Sequence, residues 1–206
     1  MVHAQLRARG VRDERVLAAM ARVPRHEFAP EPYRDQAYDD HPLPIGEGQT
    51  ISQPYIVALM LEALALSPAD RVLEVGTGSG YLTALLAELV AQVFSVERHA
   101  ALAEAARDLL ARLGYRNMKV IVGDGSQGFA EASPYDAIIV SAAAAEVPGA
   151  LLAQLAEGGR MILPVGTADS QQLQLIRMEN GQPRIALREL CRFVPLVSDT
   201  HQGRVQ

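Results

Sequence analysis

The side chains best suited to chemistry stand at the ends of short apolar runs. Gly76-Thr77-Gly78-Ser79-Gly80 follows Val72-Leu73-Glu74-Val75. Glu97 closes Gln92-Val93-Phe94-Ser95-Val96, and Gly123-Asp124-Gly125 follows residues 118–122. Thr50-Ile51-Ser52 stands just before Pro54 and an apolar stretch. A glycine loop after a strand turns tightly and lets backbone N–H groups meet a ligand with no Cβ between them. Glu97 comes about 20 residues after Gly76, where an acid accepts hydrogen bonds from both hydroxyls of a ribose. Asp124 offers a carboxylate to an adenine amino group. Ser52 offers a hydroxyl at a helix N-terminus, a natural holder for a carboxylate. Each has a plainer reading. Ser52 alone reads first as an N-cap, Glu97 as a solvated strand-end acid, Asp124 as an Asp-Gly turn, and the glycines as a turn of good propensity.

These groups need elements to hold them. After the glycines, Leu82, Leu85, Leu86 and Leu89 recur at helical spacing. Strand, glycine turn and helix make a cofactor-binding βα unit. The alternation continues with a strand at 92–97 and a helix from about 100 to 113, with Leu102, Ala106, Leu109, Leu110 and Leu113 inward and Gly114 to end it. Strands follow at 118–122 and at 136–140, the latter apolar like the centre of a parallel sheet. A short helix over 147–155, ended by Gly158-Gly159, precedes a strand at 160–165. Residues 171–178 and 184–194, around Asn180-Gly181, read as a hairpin.

Upstream, residues 3–23 read as two helical pieces broken near Gly10. Asp13 would cap the second, and Val16, Leu17, Met20 and Val23 form its stripe. From 24 to 54, prolines and glycines predict a long ordered loop without regular structure over most of it, the kind that carries function. A helix runs from Pro54 to about Ala65, with Ile56, Val57, Met60, Leu61 and Leu64 on one face. The fold expected is α/β, one domain over 1–206. It is a doubly wound, Rossmann-like and mostly parallel sheet, with a C-terminal antiparallel hairpin and an N-terminal helical cap. Residues 1–66 form the cap and substrate loop, 67–166 the cofactor core, and 167–206 the last strands and tail.

Composition removes several function classes. Of 206 residues, 49% are hydrophobic and 21% charged, an ordinary globular balance. The net charge is −5, Lys119 is the only lysine, and the arginines are scattered, so no nucleic-acid stripe is expected. Cys191 is the only cysteine, which excludes an internal disulfide and fits a reducing cytoplasm. The five histidines show no metal-ligand spacing, so no metal is expected. His41 reads as a loop-packing residue and Cys191 as a small buried hydrophobe. The N-terminus lacks the apolar core of a signal peptide, and no apolar run approaches the ~18 residues of a membrane span. A monomer is expected, since no coiled-coil pattern is present.

The glycine spacing narrows the cofactor. A dinucleotide loop reads G-x-G-x-x-G, whereas here Gly76, Gly78 and Gly80 give G-x-G-x-G, with Tyr81 at the third dinucleotide position. That favours S-adenosylmethionine over a nicotinamide cofactor. With VLEVGTGSGY, FSVER and GDG, the chain resembles class I S-adenosylmethionine-dependent methyltransferases. Through HPLPIGEGQTISQPYIVALM, DERVLAAMARVPRHEF, LAEGGRMILPVG and CRFVPLV it resembles the protein-L-isoaspartate (D-aspartate) O-methyltransferases. The likeness covers nearly the whole chain. It implies S-adenosyl-L-methionine as cofactor and isoaspartyl-containing proteins and peptides as substrates.

Methyl transfer to the free isoaspartyl carboxylate gives an ester that collapses to a succinimide, which hydrolyses partly to aspartate. Ser52, in the T-I-S motif, would be the catalytic position, orienting the carboxylate and not attacking anything. Further cofactor contacts are implied at Thr50, Ile51, Glu74, Gly76, Thr77, Gly78, Ser79, Gly80, Glu97, Arg98, Asp124, Gly125 and Gln202. There are two departures. Ser126 stands where the family usually carries a Trp, and Ala142-Ala143-Ala144-Ala145 stands where it usually carries prolines. The second motivates a rival reading, a catalytically weakened cofactor-binding protein that acts as a sensor or methylates another carboxylate.

Overall fold

The computed structural model describes residues 1–167 and 169–197, with the main chain alone at Leu187 and Arg188. The apolar runs form seven strands of one sheet: β3 (Arg71–Val75), β4 (Gln92–Glu97), β5 (Met118–Val122), β6 (Tyr135–Val140), β7 (Leu155–Gly166), β8 (Gln171–Glu179) and β9 (Gln182–Cys191). Their spatial order is β5-β4-β3-β6-β7-β8-β9. The pairs from β5 to β7 are parallel, and β8 and β9 add on antiparallel. The order reverses direction between β3 and β6. In sheets of this kind that switch point opens a crevice at the carboxyl ends of the strands.

Strand periodicity divides the core. Val72, Val93, Ala137, Ile139 and Ile162 pack on one face, and their neighbours Leu73, Phe94, Ile138, Val140 and Met161 pack on the other. The first face is covered by α1 (Glu14–Arg22), α2 (Pro54–Leu64), α3 (Tyr81–Leu89) and α4 (Ala100–Arg112). Among the described residues, the only α-helix on the opposite face is α5 (Gly149–Leu152). None of these helices is long and apolar enough to cross a membrane.

Local signals set the helix ends. Asp13 accepts from the N–H groups of Arg15 and Val16 at 2.8 and 3.2 Å, capping α1. The stripe Val16, Leu17, Met20 and Val23 is buried. After α4, Gly114 at φ 91° lets its own N–H and that of Tyr115 fold back to Ala111 and Leu110.

Two expectations fail. The helix expected over 147–155 is only Gly149–Leu152, and the strand expected at 160–165 begins at Leu155. Gly158-Gly159, read as a helix stop, sits inside β7 where its register against β6 shifts. The loop at 24–54 is also more regular than its prolines suggest. It holds 3₁₀ turns at Arg25–Phe28 and Glu31–Gln36, then a hairpin of β1 (Leu43–Gly46) and β2 (Gln49–Ile51). Both strands of that hairpin are edges, so Pro44 removes no interior hydrogen bond.

Candidate active site

A cavity of about 870 Å³ opens at the switch point. One wall comes from strand ends. Gly76, at the end of β3, donates its N–H to the Val96 carbonyl at 2.8 Å, and Ser141, at the end of β6, donates to Val75 at 2.9 Å. Gly78, at φ 53°, turns its N–H onto Glu97 Oε2 at 2.8 Å, while the His99 N–H meets Oε1 at 2.9 Å. Glu97 is thus fixed and nearly buried at the cavity edge. Gly125 lies against Val75, where a Cβ would come within 2.4 Å of Cγ1, so this wall needs a glycine. Thr77 and Ser79 line the cavity with them.

A buried polar relay stands behind the loop. Thr77 Oγ1 and Ser95 Oγ are 2.5 Å apart, and Thr83 donates to Glu74 Oε2 at 2.5 Å. Glu74 is fully buried, which pushes its pKa up to about 8 against the pull of the Thr83 and Ser95 hydroxyls. The carboxyl is therefore protonated at neutral pH. Glu74 does not line the cavity, because strand alternation turns it toward α3 while Val75 faces the opening. Gly80 is also absent from the wall; it precedes α3 and packs against Ala106 and Leu110. Asp124 lies just outside the wall, with Oδ1 accepting from the N–H and hydroxyl of Ser126 at 2.9 and 2.7 Å. That turn gives Ser126 its place in the fold.

The opposite wall is built from the N-terminal loop and the last residues. The β1–β2 hairpin folds over the glycine loop, with Ile45 against Gly78 and Glu47 3.6 Å from His99. Thr50 and Ile51 of β2, and Ser52 just after it, line the cavity. The N-cap of α2 is Gln53, and its side chain does not cap. Asp40 does so instead, accepting from the Tyr55 N–H at 3.2 Å and from Gln53 Nε2 at 2.9 Å. Arg9 pairs with Asp40 at 2.5 Å and lies over the Tyr55 ring. The capping alternative for Ser52 is therefore taken by another residue, and its hydroxyl has no hydrogen bond among the described residues. The expectation of a bare helix N-terminus changes too, since Asp40 already occupies it.

The C-terminal segment closes the cavity. Gln171 is nearly buried and grips Phe193 in both directions, at 3.0 and 2.6 Å. Ala143 donates to Val194 and accepts from Leu196, both at 2.7 Å. Ala144 donates to Pro164 at 3.0 Å and accepts from Gly166 at 2.9 Å. Ala143 and Ala144, in the middle of the four-alanine loop, thus bridge β7 and the tail. Arg98 donates to the Val197 carbonyl at 3.3 Å on the cavity rim. Cys191 is half-buried, packing against the core while also lining the cavity, and burial pushes its thiol up to about 11. His41 stands outside the wall. Gln202 lies outside the described residues.

The sequence of the chain gave no local signal for Asp40, Arg9 or Gln171, because each works on a partner distant along the chain. Glycine loop, fixed Glu97 and the side-chain-free surface at Gly125 together suit an adenosine-bearing cofactor.

A sequence model of the protein-L-isoaspartate(D-aspartate) O-methyltransferases matches residues 1–201. The chain belongs to that family. It is 57% identical over 199 residues to the protein-L-isoaspartate O-methyltransferase of Koribacter versatilis (strain Ellin345), covering 97% of this chain and 90% of that one. Among solved structures, a protein-L-isoaspartate O-methyltransferase superposes with a TM-score of 0.83 at 32% identity over 94% of this chain. The chain spans 64% of the length of that structure. The Plasmodium falciparum beta-aspartate methyltransferase (PCMT), in complex with S-adenosyl-L-homocysteine, superposes with a TM-score of 0.80 at 32% identity. There the match covers 93% of this chain and 94% of the other. In this member of the isoaspartate methyltransferases the glycine loop and the T-I-S motif share one cavity.

Proposed function

We propose that this chain is a repair enzyme that transfers methyl from S-adenosyl-L-methionine to the free carboxylate of L-isoaspartyl residues in damaged proteins and peptides. The observation that carries the reading is Ser52, which leaves the capping of α2 to Asp40 and lines the same cavity as Glu97 and the glycine loop. Membership of the family supports it. The acceptor carboxylate, with a reference pKa of about 4, is ionised at neutral pH and needs no general base. Bound S-adenosyl-L-methionine supplies a methyl group on a sulfonium, already activated for transfer. The protein must hold the carboxylate in line and keep water out.

Ser52 orients the carboxylate by donating a hydrogen bond. Glu97 accepts from the ribose, and Gly76, Thr77, Gly78, Ser79 and Gly125 form the cofactor bed, with Thr50, Ile51 and Arg98 at its edge. Glu74, Gly80 and Asp124 support that bed from behind or beside it. Without the enzyme, the following main-chain nitrogen then attacks the ester carbonyl and expels methanol, and the resulting succinimide takes up water to give partly aspartate. The rival reading rested on the alanine loop. That loop is tied into β-structure on both sides, so it no longer argues for a site without catalysis.

The chain works as one unit, with 1–66 as cap and substrate loop, 67–166 as cofactor core and 167–206 as closing strands and tail. It acts in the cytoplasm as a monomer and without nucleic acid. The lone cysteine and the net charge of −5 support this. The deciding assay compares an isoaspartyl peptide with its aspartyl twin. Labelling of the isoaspartyl peptide alone is expected; equal labelling of both, or of neither, would overturn the proposal.

A further inference from the structure

Among the described residues, Arg25 is the largest whose side chain is fully buried, and the reaction as described does not use it. Its Nε donates to the Ala37 carbonyl at 2.7 Å, and its Nη2 donates to the carbonyl of Ser52 at 2.9 Å. Its guanidinium lies 4.7 Å from the ring centre of Tyr81, the first residue after the glycine loop. Nη1 is inaccessible to solvent and has no hydrogen-bond partner. Among the described residues no carboxylate pairs with it. Asp40 acts on it only at longer range and is itself committed to Arg9, Gln53 and the first turn of α2. A buried charge without a counter-ion is destabilising unless something else uses it.

The neighbourhood points to a use. Burial keeps Tyr81 a neutral phenol, pushing it up to about 12, so the tyrosine supplies no compensating charge. Asp40 has already taken the positive end of α2, so the helix offers little to an incoming anion. Arg25 is then the cation hydrogen-bonded directly to the residue that would meet the acceptor. Its burial lets its field act with weaker screening than a surface arginine would have.

We propose that Arg25 is a positioning residue of the acceptor site: it pins the Ser52 main chain from behind, and its unpaired charge makes the pocket at Ser52 receptive to the acceptor carboxylate. This rests on the reading of Ser52 as the acceptor contact. The substrate is thereby selected as an anion, and its carboxylate serves as the counter-ion that the protein does not supply.

The test measures inhibition by two peptides that differ only at the acceptor. One carries the isoaspartyl carboxylate and the other its neutral carboxamide. Wild type is expected to bind the carboxylate on the order of tenfold more tightly, as for a charge contact at partial screening. Arg25→Gln is expected to bring that ratio to within about twofold, with S-adenosyl-L-methionine affinity by calorimetry changed by less than about threefold. A merely structural arginine would leave the ratio at the wild-type value in whatever fraction stays folded, and that result overturns the proposal. Arg25→Lys keeps the charge but cannot grip both carbonyls, so it should keep the ratio and lose about tenfold in kcat. Wild-type kcat in Arg25→Lys overturns the pinning role even if Arg25→Gln does not fold. Ser52→Ala in parallel separates the two readings. If it retains wild-type turnover, the assignment of Ser52 fails; if it loses turnover while both Arg25 variants behave as wild type, only the inference about Arg25 fails.

Discussion

The wall of the cavity proposed for the cofactor takes its residues from consecutive strand ends, whereas the wall proposed for the acceptor gathers Ser52, beside the helix that Asp40 caps, and residues 193–197 from loops far apart in the chain. On the first wall each group is fixed by its own element. Gly76 follows β3, Glu97 ends β4, Gly125 follows β5 and Ser141 follows β6. On the second, each group is fixed by a partner distant in sequence. Asp40 caps a helix that begins at Pro54, and Gln171 holds Phe193. A parallel sheet gives its switch point to any chain that builds it. An acceptor pocket has no such template, so specificity is assembled from long-range contacts.

Substitutions can break this division, beginning with the largest expected effect. Ser52→Ala should lose on the order of a hundredfold in turnover, as for one positioned donor, while cofactor affinity stays near wild type. Turnover within a factor of two of wild type would remove the acceptor role. Glu97→Ala, on the opposite wall, should weaken cofactor binding by about tenfold, as for a hydrogen bond to a charged group. Calorimetry reads this directly, and the KM for the isoaspartyl peptide should hardly move. A large change in peptide KM would show that the walls do not act separately.

Asp40→Ala tests whether a loop side chain sets the acceptor wall through a cap. It should lower stability by about 1 kcal/mol, the usual value for a lost N-cap. In thermal unfolding that is a fall of about 2–4 °C for a chain of this size. Turnover should fall severalfold, less than in Ser52→Ala, with cofactor affinity unchanged. A Tm equal to wild type would mean that the Tyr55 N–H finds another acceptor.

Glu74→Gln should have the smallest effect on activity, within about twofold at pH 7, because the amide replaces a carboxyl that is already neutral. Its signature is in stability against pH. The folded pKa of Glu74 is raised from 4.5 to about 8. Between those values the folded state holds a proton that the unfolded state has released. Stability from this group is therefore present in full below about 4.5, declines as pH rises, and levels off above about 8. The glutamine variant should lack that decline, so its Tm should gain on wild type from pH 5 to 8. Parallel Tm curves for the two proteins would show that Glu74 ionises normally despite its burial.

The same division explains what the sequence revealed. Strands β3 to β6, β8 and β9, the helices α1 to α4 and the glycine loop were legible because each is written in neighbouring residues: the apolar run in 92–97, helical spacing from Leu82 to Leu89, Gly114 after α4. The resemblance to the isoaspartate methyltransferases located Ser52. Nothing local, however, could tell whether its hydroxyl would be spent on the helix, because the true cap, Asp40, lies in a stretch of acids and prolines with no helical period. Gly158-Gly159 misled for a related reason. A glycine pair marks a break in regular structure without saying whether a helix or a strand is interrupted. Arg25 follows Pro24 in a loop, and an arginine there reads as surface until the fold encloses it.

The tie between Ala143, Gln171 and the segment 193–197 bears on when the protein becomes competent. Synthesis runs from the N-terminus, so the glycine loop and Ser52 leave the ribosome well before the residues that wall them in. Until Phe193 reaches Gln171 and Val194 and Leu196 flank Ala143, the crevice lacks one side. The strand-end wall and Ser52 are thus made before the segment that closes the cavity over them.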